Sequence, residues 1–324
     1  MRGLEKISEK LKKFQLEPTQ LVLFVYLMLL FSRGVVSMLS EGTNEYLSLV
    51  ILQLLTFAFP AAIWYRLRGL PRFDDRRGRY VTRLRLTRPR VSHIVIVLAA
   101  CFALMSGCLL FSIGFSGESS MQGSFSLYDT FISKYNGTPL GALWLTLAYA
   151  ALPAVCEELV FRGVLCAEYD RYGVICSVVM NTVWFGFLHF NFLKLPVYLF
   201  AGFVLTVLLY ATRSVTATMT AHFAYNMFGL FGQPYITEFY ITAGSVGVAV
   251  TILIIILLLS ATVFCGAASG LYRGYAKKDE PSDYREPTEK AELIKNFKAC
   301  LLTPSAAICV ALYFAVALIM IFIG

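Results

Sequence analysis

The chain has 324 residues, is 58% hydrophobic and only 15% charged, and has a mean hydropathy of +0.68, which excludes the ordinary soluble globular class. Its formal net charge of +8 does not indicate a nucleic-acid partner, because the basic residues gather in segments between apolar runs. The composition therefore predicts a polytopic membrane protein in contact with membrane lipids, with no nucleic-acid binding.

Apolar runs of about 17 to 25 residues, the length that crosses a bilayer, recur along the whole chain. They predict an all-α fold, a membrane helix bundle of about eight or nine transmembrane helices, and the fifth to seventh runs are short. The predicted spans lie near residues 20–40, 46–65, 91–115, 140–168, 173–191, 195–212, 214–232, 243–266 and 300–323.

The basic residues are distributed very unequally between the two sides of these spans. Of the 28 Lys and Arg residues, 25 fall on one side, while only Lys134 and Lys194 fall on the other and Arg33 lies inside the first span. By the positive-inside rule this predicts a multi-pass protein of the cell membrane with a cytoplasmic N-terminus. Binding of anionic lipid by the Arg-rich loop is a plausible secondary role.

The chain divides into four predicted regions. The first, 1–19, is a cytoplasmic amphipathic segment, and the second, 20–139, contains the N-terminal spans and the basic loop 66–90. The third, 140–235, carries the polar motifs. The fourth, 236–324, contains the C-terminal spans and the charged linker 273–298.

Two adjacent carboxylates, Glu157 and Glu158, interrupt the fourth apolar run. An ionisable group at the centre of a spanning helix costs roughly 2.5 to 3.5 kcal/mol, so these groups are expected to pair or to do chemistry. Residues four apart share a helix face, which predicts an ion pair between Glu158 and Arg162. Glu157 is rotated by about 100° from Glu158 and has Phe161 at its i+4 position, so it is a candidate general base. Both acids could equally serve one ion-pair network between helices.

Two histidines and an amide follow in the next apolar runs. At a rise of about 1.5 Å per residue, Glu157 lies about 20 Å and His189 about 24 Å from the cytoplasmic side. His222 and Asn226 lie about 14 Å and about 20 Å from that side by the same rise. The four groups therefore share one layer of the membrane, and we expect them to meet around one pocket that holds a water molecule. His189 alone is also typical of a buried structural histidine.

His222 and Asn226 are four residues apart and present their side chains on one helical face. Such a pair can donate hydrogen bonds to a developing oxyanion. The alternative is a polar contact that joins neighbouring helices.

The order and spacing of these motifs resemble the CPBP family, the CAAX protease and bacteriocin-processing membrane endopeptidases, also called the Abi family. Its members include the type II CAAX prenyl endopeptidases. The resemblance covers roughly residues 140–235, the third region, which then becomes a CPBP-like protease core. The family motifs EExxxR, FxxxH and HxxxN read here as Glu157, Glu158 and Arg162, then Phe185 to His189, then His222 to Asn226.

This resemblance implies an enzyme that hydrolyses a peptide bond inside the bilayer. It implies that Glu157 and His189 activate a water molecule, and that His222 and Asn226 stabilise the tetrahedral intermediate. The residues implied to hold the geometry of the site, or to pack there, are Glu158, Arg162 and Phe185.

The expected mechanism uses no metal or other cofactor, because the sequence contains no HExxH helix. Family members are often labelled metalloproteases, so divalent zinc is the alternative. Glu157, His189 and His222 would then be its ligands, with a fourth position open to water. None of the eight cysteines forms a CxxC pair that would favour a cysteine zinc site.

The preferred substrate is a peptide or protein that reaches the site from the membrane. A prenylated CAAX-type C-terminus or a bacteriocin or other leader peptide would fit, and the sequence fixes neither the substrate nor the oligomeric state. The alternative function is a non-catalytic membrane regulatory or immunity protein that binds a partner through the same polar cluster. A proton-relaying transporter is a third reading, although the sequence shows no pair of Gly- or Pro-broken helices that would indicate an inverted repeat.

Overall fold

The computed structural model describes residues 16–39, 45–68, 84–87, 90–116, 137–277 and 289–323. All regular structure in these ranges is helical, which confirms the predicted all-α class. Most of the amphipathic segment 1–19, most of the basic loop 66–90 and the middle of the linker 273–298 lie outside the described residues. The boundaries of the four regions stay predictions.

The first helices cover the N-terminal spans. Five π-helical residues, Leu54–Ala58, join the second helix to the third, and a 3₁₀ turn, Val91–His93, precedes the fourth. These helices are α1 (Pro18–Leu39), α2 (Glu45–Gln53), α3 (Phe59–Arg68) and α4 (Ile94–Ser116).

The central helices carry all the predicted motifs. A long irregular rod comes first, in which π-helical segments Leu147–Ala151 and Leu159–Leu165 separate α-helical pieces and a 3₁₀ turn, Asp170–Tyr172, ends the rod. π-Helical turns inside α-helices occur frequently at functional sites. The α-helices here are α5 (Pro139–Thr146), α6 (Leu152–Glu158), α7 (Cys166–Tyr169), α8 (Val174–Leu188), α9 (Leu195–Thr212) and α10 (Val215–Phe231).

Local sequence accounts for the sharp ends of these central helices. Gly173 has φ +95°, a backbone region that favours glycine, and it reverses the chain between the long rod and α8. Ser214 caps α10, since its hydroxyl accepts the backbone N–H of Ala217 at 3.4 Å. Short connections of this kind place α8, α9 and α10 side by side.

The last helices complete the bundle. They are α11 (Gln233–Ala243), α12 (Val246–Lys277), α13 (Lys290–Leu301) and α14 (Pro304–Ile323).

Seven helices in the described ranges are long and apolar enough to cross a membrane, and α8 is a shorter apolar helix. This is a polytopic helical bundle, as predicted. The predicted spans 173–191 and 214–232 correspond to helices of only 15 and 17 residues, α8 and α10. At about 1.5 Å per residue these helices are shorter than the hydrocarbon core of about 30 Å, which is compatible with helices that pack mainly against protein.

The centre of the bundle is α9. Of the residues in its most apolar 18-residue stretch, 61% are buried inside the protein. The corresponding fraction for α12 is 17%, and the apolar side chains of α12 cover the outside of the bundle. α9 packs against α4, α8 and α10, so side chains from several spans converge around it.

Candidate active site

The predicted ion pair between Glu158 and Arg162 is present at the heart of the site. Arg162 Nη1 donates to Glu158 Oε1 at 2.7 Å, and both side chains are fully buried. Arg162 Nη2 also donates to the carbonyl of Gly202 on α9 at 3.0 Å. The pair therefore joins the long rod to the central helix, while Glu158 Oε2 and Arg162 Nε have no hydrogen-bond partner among the described residues.

Phe185 of α8 packs among the polar groups. The guanidinium carbon of Arg162 lies 4.4 Å from the centre of the Phe185 ring, a cation–π contact. The same ring meets His189 edge-on at 5.2 Å and His222 at 6.1 Å between ring centres. Phe185 thus supports both imidazoles and the guanidinium by packing alone.

His222 of α10 is held by Glu158, a contact that sequence analysis did not find. Its Nδ1 lies 2.9 Å from Glu158 Oε1, the oxygen that also accepts from Arg162. A carboxylate can only accept, so Nδ1 carries the proton of this hydrogen bond. In neutral His222 the other ring nitrogen, Nε2, therefore has its lone pair available.

His189, at the end of α8, is oriented in a similar way by the main chain. Its Nδ1 lies 3.0 Å from the carbonyl oxygen of Phe185, and a carbonyl only accepts, so Nδ1–H is the donor. Its ring also stacks on Tyr198 of α9, with ring centres 3.7 Å apart and planes 11° from parallel. These two contacts fix the ring and leave Nε2 as a proton acceptor.

Asn226 of α10 lies one turn beyond His222 and is also buried, with 7% of its surface exposed. Its Nδ2 donates a long hydrogen bond, 3.4 Å, to the carbonyl of Ala150 in the first π-helical segment. A side-chain amide has two N–H groups, so this bond leaves one N–H for another acceptor.

One cavity of about 330 Å³ connects these groups. Glu157, His189, His222 and Asn226 all line it, so the structure brings together the four residues that the sequence suggested, together with Phe185. Glu158 and Arg162 are not among the described residues that line it. The two neighbouring acids thus face different surroundings, as their rotation of about 100° around the helix requires.

The cavity has further polar lining residues that sequence analysis did not assign to the site, namely Gln53, Tyr149, Lys194, Tyr198 and Tyr225. Gln53 Oε1 is buried and accepts no hydrogen bond from the described part of the chain. The sequence could have indicated Gln53, because it is the one side-chain amide in the second apolar run. The tyrosines gave no such signal, because aromatic residues are frequent throughout this chain.

A metal site would need at least three suitable donors close together. Across the described residues, no group of three or more His, Cys, Asp and Glu side chains is placed to hold a metal ion. Nδ1 of both histidines is already engaged with protein acceptors. Glu157, His189 and His222 share the cavity but do not form such a group.

The fold and the site define a polytopic membrane protein with a buried carboxylate–histidine cluster at a cavity. A family model described as type II CAAX prenyl endopeptidase Rce1-like matches residues 139–228, from the start of α5 almost to the end of α10. The match covers less than half of the chain, contains all three motifs, and confirms the resemblance to the CPBP family. It supports a CAAX-type intramembrane protease. No curated protein and no solved structure matches the chain.

Proposed function

We propose that the chain is an intramembrane endopeptidase in which Glu157 and His189 activate a water molecule for attack on a peptide bond. The observation that carries this proposal is the single cavity lined by Glu157, His189, His222 and Asn226. The family match falls on the segment that supplies all four residues. The proposed setting is the cell membrane, with the N-terminus on the cytoplasmic side.

Glu157 is the proposed general base. It lines the cavity and forms no ion pair with the described residues, whereas its neighbour Glu158 is already bonded to Arg162 and His222. The free lone pair on His189 Nε2 accepts a hydrogen bond from the same water and helps to orient it. As the water oxygen bonds to the carbonyl carbon, Glu157 takes a proton and the carbonyl π electrons move to oxygen. Glu157 then gives this proton to the leaving nitrogen as the C–N bond breaks.

Asn226 and His222 are the proposed oxyanion donors. The remaining N–H of Asn226 can donate directly to the oxyanion. His222 donates from Nε2 in its imidazolium form, with its Nδ1–H bonded to the carboxylate of Glu158. A positioned donor of this type contributes about 2.7 to 4 kcal/mol to transition-state stability.

Glu158, Arg162 and Phe185 are positioning residues in this mechanism. Glu158 fixes the ring of His222, Arg162 holds Glu158, and Phe185 packs against the guanidinium and both imidazoles. Because these three side chains are buried, they hold the histidines in this geometry before a substrate binds. No step of this mechanism requires a metal.

The proposed substrates are peptides or proteins held in the membrane, such as a lipidated C-terminus or a leader peptide. The test uses purified protein in proteoliposomes with a library of membrane-anchored peptides, and mass spectrometry to detect new termini. Wild-type protein should cleave some members, and Glu157→Gln should cleave none. Glu238→Gln is the matched control, since Glu238 is exposed on α11 and does not line the cavity.

Three results would overturn the proposal or a part of it. Cleavage that survives Glu157→Gln removes Glu157 as the base. Cleavage that a zinc chelator abolishes and added Zn²⁺ restores replaces the metal-free mechanism with the zinc alternative. If the chain cleaves no member but captures one intact, and Glu157→Gln captures it equally well, the non-catalytic partner-binding function is favoured.

A further inference from the structure

The cavity lies toward one end of the bundle. α2 and α9 begin at this end. Leu49 lies about one turn and Gln53 about two turns into α2, and Lys194 and Tyr198 lie just before and within the first turn of α9. α8 and α10 end here, and His189 and Gly229 lie at or near those ends. The cavity therefore extends from the middle of the bundle toward the connection between α8 and α9.

The opposite end of the bundle is closed by polar contacts around the short segment 84–87. Arg85 forms an ion pair with Asp170 at 2.5 Å, and the carbonyl of Arg85 accepts the N–H of Val215 at 3.0 Å. Ser214 donates from its hydroxyl to the carbonyl of Thr87 at 2.8 Å, and Tyr210 donates to Asp170 at 2.7 Å. None of these described residues lines the cavity, so the described part of the cavity does not reach this end.

The closed end is the basic end. Among the described residues, Arg85, Arg171 and Arg213 lie at this end, and the sequence assigns 25 of the 28 Lys and Arg residues to the same side of the membrane. By the positive-inside rule this end faces the cytoplasm. The end nearest the cavity therefore faces away from the cytoplasm.

We propose that the catalytic cavity is entered from the non-cytoplasmic side, so that its substrate is a peptide segment presented on that side of the membrane. This inference rests on the proposed function and narrows it. A prenylated protein on the cytoplasmic surface would meet the closed end of the bundle. A peptide already inserted in or carried across the membrane would meet the cavity.

Thiol labelling tests the side of entry without any need for activity. Lys194→Cys places a thiol at the cavity, and Lys290→Cys places one on exposed α13 at the basic end. In intact cells a membrane-impermeant maleimide should label Lys194→Cys and not Lys290→Cys, and in inverted vesicles the pattern should reverse. Wild-type protein gives the background of the native cysteines. Labelling of Lys194→Cys from the cytoplasmic side alone would overturn the proposal.

A cleavage experiment separates this inference from the proposed function. A peptide that the purified enzyme cleaves is added to the outside of right-side-out and inverted vesicles. Cleavage in right-side-out vesicles supports entry from the non-cytoplasmic side. Cleavage only in inverted vesicles overturns the side of entry and leaves the protease function standing. If no peptide is cleaved even in detergent, the protease function fails, and the labelling result still decides the orientation of the cavity.

A second inference concerns Lys194. It is the one Lys or Arg side chain among the described residues that line the cavity, and no acidic side chain in the described ranges forms a salt bridge with it. It stands directly before the first residue of α9, where the N-terminal N–H groups of a helix add to a positive potential. A positive charge at the cavity without a salt-bridge partner among the described residues favours an anionic group in the peptide that enters.

We infer that Lys194 determines substrate specificity by binding a carboxylate of the peptide, either its C-terminal carboxylate or an acidic side chain. The probe is a cleavable peptide in three forms, with a free C-terminus, with a C-terminal amide, and with its Asp and Glu residues changed to Asn and Gln. Lys194→Gln should raise KM about tenfold for the form that retains the recognised carboxylate, with little change in kcat. Lys194→Arg keeps the charge and should retain most of the affinity.

The three peptide forms identify the source of the carboxylate. If only amidation removes the effect of Lys194→Gln, the C-terminus is recognised, and if only the neutral side chains remove it, an acidic residue is recognised. An equal effect of Lys194→Gln on all three forms, or a loss of kcat alone, would overturn the assignment. Cleavage of the amidated form by the variant would show that the catalytic site itself is intact.

Discussion

The Nδ1 atom of His222 lies 2.9 Å from the Oε1 atom of Glu158. This contact joins two sequence motifs that are 64 residues apart, and it gives the two neighbouring glutamates different environments. Glu158 faces inward and orients a histidine, while Glu157 lines the cavity. A substitution of one glutamate should therefore have different consequences from the same substitution of the other.

Glu157→Gln should abolish activity and leave stability almost unchanged. It removes a carboxylate that forms no ion pair with the described residues, and a general base contributes about 10² to 10⁴ in rate. The measurements are kcat on a cleaved peptide and the Tm in detergent. Glu158→Gln should lower both quantities, because it also disturbs Arg162 and His222. Equal losses of Tm in the two variants would contradict the different roles assigned to Glu157 and Glu158.

Arg162→Met should be strongly destabilising. It leaves Glu158 as a buried charge with its strongest partner removed, and the loss of one partner of a buried ion pair costs about 3 to 5 kcal/mol. The free energy of unfolding can be measured by denaturant titration in detergent. The double variant Glu158→Gln with Arg162→Met should lose less than the sum of the two single losses. Arg273→Ala is the control, since Arg273 is exposed on α12.

Asn226→Ala should lower kcat by about 10² to 10³ if its amide donates to the oxyanion. Asn226→Asp should be at least as severe, because a carboxylate would place negative charge beside the developing oxyanion. KM should change less than kcat in both variants, since the contact forms mainly in the transition state. Asn296→Ala removes a distant amide that bonds the carbonyl of Tyr172 and should leave kcat unchanged.

Tyr198→Leu should lower kcat by loosening the ring of His189. The stacked pair has ring centres 3.7 Å apart, and an aromatic contact of this kind is worth about 0.5 to 1.5 kcal/mol, which corresponds to a loss of up to about tenfold. Tyr198→Phe keeps the stacking and should retain most of the activity. Tyr235→Leu is the control, because Tyr235 is 71% exposed. A loss in Tyr198→Phe equal to that in Tyr198→Leu would assign the role to the hydroxyl.

Much of the fold and part of the site could be predicted from local patterns. Each of the nine apolar runs corresponds to one helix or to a series of joined helical segments, because bilayer-spanning segments need a continuous stretch of apolar residues with internally bonded backbone. The ion pair of Glu158 and Arg162 followed from their spacing of four residues, which places them on one helix face. The rise per residue predicted that Glu157, His189, His222 and Asn226 share one layer of the membrane, and all four line the cavity.

Other features depend on contacts between distant segments. Glu158 bonds His222, Arg162 bonds the carbonyl of Gly202, and Asn226 bonds that of Ala150. No helical period relates these partners, so their pairing depends on how the helices turn toward each other. The presence of Gln53 and Lys194 in the cavity has the same origin, because each lies at the end of a helix whose position is set by packing.

The sequence by itself determined that the protein crosses a membrane as helices, which segments are basic, and which polar groups interrupt the apolar runs. These properties are local, since hydropathy, charge and helical spacing are read over a few turns. Only the tertiary structure decided which glutamate faces the cavity, which carboxylate holds His222, and that the cavity extends away from the basic end. Those relationships depend on the rotation and approach of separate helices, and packing of the whole bundle fixes both.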